Sequence, residues 1–196
     1  MNNHYSIGEN IKNVMSFLYT KVFFSKARLI RIPFYLRGKS SFKYGKGFTT
    51  GYGCRIETFN INSKNDYKII LGENCKMGDR VHIASGNSVI IGDNCLLASN
   101  IYISDISHGY YEGKGASKPN SIPDERPLIS RPIRIGNNVW IGENVSILPG
   151  VNIGDGCIVG ANSVVTKSVS KNCIIAGVPA NVIKIYNENN EKWEKQ

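Results

Sequence analysis

Imidazoles, thiols and a few carboxylates are the groups from which this chain could build a reactive centre. Histidine occurs three times, as His4, His82 and His108. A neutral imidazole titrates near physiological pH, so it can take a proton from an attacking hydroxyl and return it to a leaving group. His4 precedes the patterned part of the chain and is discounted. His108 stands in Ser104-Asp105-Ile106-Ser107-His108-Gly109 and, taken alone, reads as a surface-loop histidine. Asp105 could orient it and stabilise its imidazolium form, or could simply form a turn. His82 ends the stretch Met77-Gly78-Asp79-Arg80-Val81-His82. With only these two histidines in the body of the chain, a three-histidine zinc site lacks its third ligand. The five cysteines are an odd number and none lies in a CxxC pair, which points to a reducing compartment and away from a disulfide framework.

The elements that must position these groups follow from a repeat. Large aliphatic residues fall at 71, 77, 83, 91, 97 and 103, and again at 135, 141, 147, 153, 159 and 165. Within each run every step is six, except the eight from Ile83 to Ile91. A weaker copy starts at Tyr44, Thr50 and Ile56. Neither a helix nor an alternating strand yields steps of six, but a three-sided β-solenoid does. Each hexad is then one short flat face plus a corner, and three hexads close a coil whose inward residues stack about 4.8 Å apart. Gly, Asn and Asp recur where corners need a left-handed backbone. Cys54, Cys75, Cys95 and Cys157 all occupy the fifth slot of a hexad and read as packing groups rather than nucleophiles or ligands.

Three segments fall outside this pattern. Ser6 and Glu9 have capping-box spacing, and Ile11, Val14, Met15, Leu18 and Val22 recur at helical intervals, which predicts an amphipathic helix over about 6–26. Residues 1–43 carry a net +7 of the chain's +9. This N-terminal unit, 1–40, has two readings: a cap over the open end of the first coil, or a foot on an anionic lipid surface. Residues 104–132, rich in proline and glycine, interrupt the coil and read as a functional excursion. The coil and a closing strand span 41–185, and 186–196 is expected as a short frayed tail.

Asn137-Asn138-Val139-Trp140-Ile141-Gly142, Pro149-Gly150, Gly160-Ala161, Val165-Thr166-Lys167 and Ala176-Gly177-Val178-Pro179-Ala180 resemble the hexapeptide-repeat acyltransferases of the galactoside/maltose O-acetyltransferase type. The overall layout is most similar to the lipopolysaccharide (O-antigen) O-acetyltransferases. The resemblance implies an all-β, left-handed parallel β-helix, acetyl-CoA as co-substrate, a saccharide acceptor and a homotrimer. Acyl transfer from a thioester needs a base near the attacking hydroxyl and donors facing the thioester oxygen. The family's general base falls on His108, with Asp105 beside it, while relatives with a second histidine have it where this chain has Ile106. On the acceptor side, His82 either lines the cleft and hydrogen-bonds a sugar hydroxyl or is a surface histidine on a strand, and Asp79 and Arg80 fall near the family's sugar-binding asparagine. Trp140 is expected to wall the cleft near the acyl group, or to sit at a subunit contact.

On the donor side, the resemblance places Gly142 and Glu143 by the pantetheine and thioester, Glu143 standing where the family has serine. Gly160 and Ala161 let the arm lie against the coil, and Thr166 and Lys167 flank the nucleotide. Asn181 and Lys184 replace two arginines near the 3′-phosphate, so bidentate phosphate contact is lost.

Outside residues 1–43 the chain is nearly neutral, which argues against a nucleic-acid-binding domain. No stretch reaches the roughly 20 apolar residues of a membrane span. Val14 to Phe24 is broken by Lys21 and lacks a small-residue cleavage site. A cytoplasmic enzyme, at most touching the inner face of the membrane through its N-terminal helix, is the expectation. The rival activity on the same coil is N-acetylation of an amino-sugar nucleotide.

Overall fold

In the computed structural model, which describes residues 5–61 and 66–196, the chain winds a three-sided prism of parallel strands. His4 lies outside the described residues. The first face is a six-stranded sheet of Phe34–Arg37, Cys54–Thr58, His82–Ser85, Tyr102–Ser104, Ser146–Ile147 and Val164–Val165. The second carries Phe42–Tyr44, Ile69–Leu71, Val89–Ile91, Ile133–Ile135 and Asn152–Ile153. The third carries Lys76–Met77, Leu96–Leu97, Trp140–Ile141, Ile158–Val159 and Cys173–Gly177.

The six-step residues sort onto these faces as the spacing requires. Leu36, Ile56, Ile83, Ile103, Ile147 and Val165 form one inward row. Tyr44, Leu71, Ile91, Ile135 and Ile153 form the second. Met77, Leu97, Ile141, Val159 and Ile175 form the third. All five cysteines are free and buried in the same core. Burial pushes the Cys54 thiol up to about 11, which leaves it protonated and inert at neutral pH.

Corners repeat one device. Asn74, Asn94, Asn138, Asn144 and Asn162 hold positive φ. The side chain of one coil also accepts a backbone N–H of the coil before it: Tyr52 to Asp79 (2.8 Å), Glu73 to Asp93 (2.7 Å), Asp93 to Asn137 (2.8 Å) and Asn137 to Asp155 (2.6 Å). Coils touch so closely there that a Cβ on Gly142 would lie 2.6 Å from the Ala161 nitrogen.

Both ends are covered. The helix Ile7–Phe23 starts at a complete Ser6/Glu9 capping box. It docks through Ser16 and Thr20, its buried residues: Thr20 Oγ1 accepts the Ile30 N–H at 2.7 Å and Ser16 Oγ that of Ile32 at 3.2 Å. Phe24 then plugs the first coil against Phe34 and Tyr44. The helix thus docks beside the first coil through two hydroxyls and not through its apolar stripe. At the other end, residues 186–196 are not a frayed tail. Ala180–Asn187 folds back antiparallel on Cys173–Gly177, and Lys192–Lys195 pairs with it in turn. Tyr186 and Trp193 pack at 5.3 Å across that last pair, and aromatic cross-strand pairs hold such ends down.

Candidate active site

The excursion leaves the coil at the corner between the first and second faces. Ile106–His108 pairs antiparallel with Leu128–Ser130, so His108 stands opposite Leu128 at the outer end of a two-stranded ladder, exposed. Its backbone is fixed from two sides. The Tyr111 hydroxyl donates to the His108 carbonyl, and Arg126 Nη1 donates to that hydroxyl at 2.9 Å. The turn that follows needs Gly109, at φ +103°, because a Cβ there would meet the Tyr111 hydroxyl at 2.6 Å.

Asp105 does not serve His108. Its fully buried carboxylate accepts from Ser85 Oγ (2.9 Å) and from the N–H groups of Gly86 (2.8 Å), Asn87 (3.0 Å) and Ser88 (2.7 Å). That corner is the eight-residue step, whose extra backbone donors an acid must satisfy once they are buried. The expectation that Asp105 orients the imidazole is corrected accordingly. Asp79 is likewise absorbed by its corner, where it accepts the Tyr52 N–H.

Arg80 and Glu143 prove to share one ladder along the corner between the third and first faces. Arg80 Nε donates to Asn100 Oδ1 at 2.8 Å, and Asn100 Nδ2 to Glu143 Oε1 at 3.2 Å. Gly142, Gly160 and Ala161 lie on this same edge, where Ala161 is exposed and offers only a methyl group. Thr166 and Lys167, also exposed, lie on the opposite edge of the first face, two coils beyond the excursion. Asn181 and Lys184 are on the returning strand of the third sheet. Trp140, half exposed, points out from the third face between Leu96 and Ile158. Within one chain, the donor-side residues therefore lie along two edges and a sheet end rather than in one cluster.

Between those edges the first face carries a polar and aromatic row: Tyr35, Arg55, His82, Tyr102 and Ser146 in register on successive coils. Beside it, two residues along the strand from Arg55 and on the same outward side, lies Glu57, 2% exposed. Glu57 Oε2 receives Arg55 Nε at 2.7 Å and faces His82 Nε2 at 3.0 Å, while Arg37 Nε stands 3.6 Å from Oε1. Burial pushes the Glu57 carboxyl up, but the hydrogen bonds from Arg55 and His82 outweigh it and hold the group below the usual carboxylate range. His82 is thus a held imidazole, with the Tyr102 ring 5.5 Å away. Glu57, Arg55 and Tyr102 were missed at the level of sequence. Their signal was position: Arg55 and Glu57 flank inward Ile56, and Tyr102 precedes inward Ile103. Among the described residues, no three His, Cys, Asp or Glu side chains come together to hold a metal ion.

The chain matches two family models, the six-repeat bacterial transferase hexapeptide over residues 132–167 and the hexapeptide repeat of succinyl-transferase over 68–105. A relative from Escherichia coli K12, provisionally named a lipopolysaccharide biosynthesis O-acetyl transferase (WbbJ), is 44% identical across 94% of this chain and 92% of its own. A solved galactoside acetyltransferase in complex with coenzyme A is 34% identical, with a TM-score of 0.56 over 76% of this chain and 70% of that one. The maltose O-acetyltransferase of Clostridium difficile 630 gives a TM-score of 0.61 at 26% identity, over 93% and 90%. The prism seen here is their left-handed parallel β-helix. Repeat, excursion and a relative matched over nearly its whole length agree: the chain belongs to the hexapeptide-repeat acyltransferases and is one of that family's O-acetyltransferases.

Proposed function

We propose that this enzyme transfers the acetyl group of acetyl-CoA to a hydroxyl of a saccharide, in the assembly of a bacterial surface polysaccharide of the O-antigen kind, at the cytoplasmic face of the membrane. The observation that carries the reading is His108: an exposed imidazole on a fixed backbone, held out from the corner where the coil opens. As general base it takes the proton of the attacking hydroxyl while that oxygen bonds to the thioester carbon. The carbon–sulfur bond then breaks, and the imidazolium returns the proton to the departing coenzyme A thiolate. The donor supplies the activated acetyl group. The exposed methyl edge at Ala161 suits a pantetheine arm, and Lys167 and Lys184 supply positive charge for its phosphates.

Arg55, and the ring nitrogen of His82 that does not face Glu57, offer hydrogen bonds to sugar hydroxyls, while Tyr35 and Tyr102 offer ring faces. Three strand spacings separate these two rings, about 14 Å, so the row has room for more than one sugar unit. The two donor edges of a single chain flank this face without meeting. In a closed threefold ring the leading edge of one copy meets the trailing edge of the next, which supports a homotrimer with shared sites.

Incubation with acetyl-CoA and two saccharides, one bearing only hydroxyls and one bearing a free amine, tests the reading. An acetyl group on the hydroxyl sugar, released by mild alkali as an ester is, is expected. Acetylation confined to the amine, stable to alkali, would instead establish the N-acetyltransferase.

A further inference from the structure

The N-terminal helix docks by its polar side and leaves its apolar side unpartnered. Ile7, Ile11, Val14, Leu18 and Val22 repeat at helical spacing over 17 residues, about 25 Å, and their exposures run from 56% to 81%. The reason is on the docked side. The Ser16 and Thr20 hydroxyls satisfy backbone N–H groups of Ile30 and Ile32, so turning the helix to bury its stripe would orphan both. A row of large apolar side chains left in water by its own fold marks a surface meant to be covered.

Charge says what covers it. Beside the helix C-terminus a cavity of about 890 Å³ is lined by Lys21, Lys26, Arg28, Lys43 and Lys46, with Glu73 and Asp93 also on its wall. Arg28 also lines a second hollow with Val14 and Phe17 of the helix, so stripe and basin are continuous. Lys21 stays over the Phe17 ring at 5.2 Å. Cations beside a lipid-facing apolar stripe are what an anionic interface selects. A twofold contact with a second copy would instead bring the same cations together.

We infer that the stripe and the basic basin form one surface that docks on an anionic lipid bilayer, the helix lying in the interface with its lysines over headgroup phosphates. This rests on the cytoplasmic membrane-face placement proposed above and not on the chemistry of transfer.

Co-sedimentation of the full chain with vesicles tests it, comparing phosphatidylglycerol/phosphatidylethanolamine with phosphatidylcholine alone. Binding at least about tenfold tighter to the anionic vesicles, weakening as salt rises, is expected. The double variant Leu18→Glu, Val22→Glu touches no buried contact. It should lose about tenfold or more in vesicle binding, while its thermal midpoint, oligomeric mass and turnover of a water-soluble acceptor stay at wild-type values. Lys26→Gln with Lys46→Gln should reduce the preference for anionic lipid. Failure of the wild-type chain to bind, or glutamates that alter the oligomeric mass and leave vesicle binding intact, would overturn the inference. Because transfer is read on a soluble acceptor, that failure is separate from any failure of the proposed chemistry.

Discussion

Residues 69–103 and 133–165 wind the same coil from the same hexad, yet they offer different things to a substrate. In the second stretch every step is six, and its corners present Gly142, Gly160 and Ala161, glycines and a methyl. In the first, one step is eight and the coil then opens into an excursion: His82, with Glu57 one coil before it, precedes the wide step, Asp105 holds that step together, and His108 stands out where the coil opens. The reason is physical. In an unbroken hexad the inward residue is core, the next is pressed against the neighbouring backbone, and the corner side chain is consumed by hydrogen bonds between coils. A regular surface can carry a long flexible arm, but a positioned acid or base needs a place where the repeat is broken.

Breaking the irregular corner should have the largest structural effect. Asp105→Ala removes the carboxylate from the buried Gly86 N–H and from the part-buried N–H groups of Asn87 and Ser88, at a cost of about 3–5 kcal/mol. The thermal midpoint should drop by about 10 °C, as read by calorimetry, and an unchanged midpoint would contradict the structural role given to Asp105. Glu57→Gln comes next, because it frees His82 and leaves Arg55 without its charge partner. The apparent KM for the acceptor should rise about tenfold with acetyl-CoA affinity unchanged, in line with loss of a charged hydrogen-bonding group.

The same substitution sharpens the pH dependence. Glu57 is held below its ordinary range in the fold, so its contribution to stability is present above the unfolded carboxylate pKa of about 4.3 and is lost as pH falls through the lower folded value. Wild-type stability should therefore fall more steeply over that acid window than that of Glu57→Gln, and parallel acid limbs would refute the linkage. The smallest effect belongs to the regular end. Lys184→Ala should raise the apparent KM for acetyl-CoA only a few-fold, most at low salt, and an effect insensitive to salt would move the phosphate contact elsewhere.

Most of the coil was legible in the chain because a strict period leaves one solution. The three inward rows, the packed cysteines and the capped helix all follow from spacing. Sequence could show that the helix is amphipathic but not which side docks, because that depended on two hydroxyls meeting Ile30 and Ile32. Glu57 and His82 are 25 residues apart, and the inserted residues after Phe59 hide that they stack on adjacent coils. Asp105 looked like a partner for His108 because they are neighbours in sequence, whereas the buried donors of the wide corner claim it. The last residues looked frayed because they are polar, yet pairing with Ala180–Asn187 orders them.

The central claim is that the imidazole of residue 108 removes the hydroxyl proton. Its most direct measurement is the turnover of His108→Ala beside its affinity for acetyl-CoA, the first by release of coenzyme A thiol and the second by calorimetry. A loss of at least about 100-fold in turnover with unchanged acetyl-CoA binding is the expected result. Wild-type turnover in the variant would contradict it.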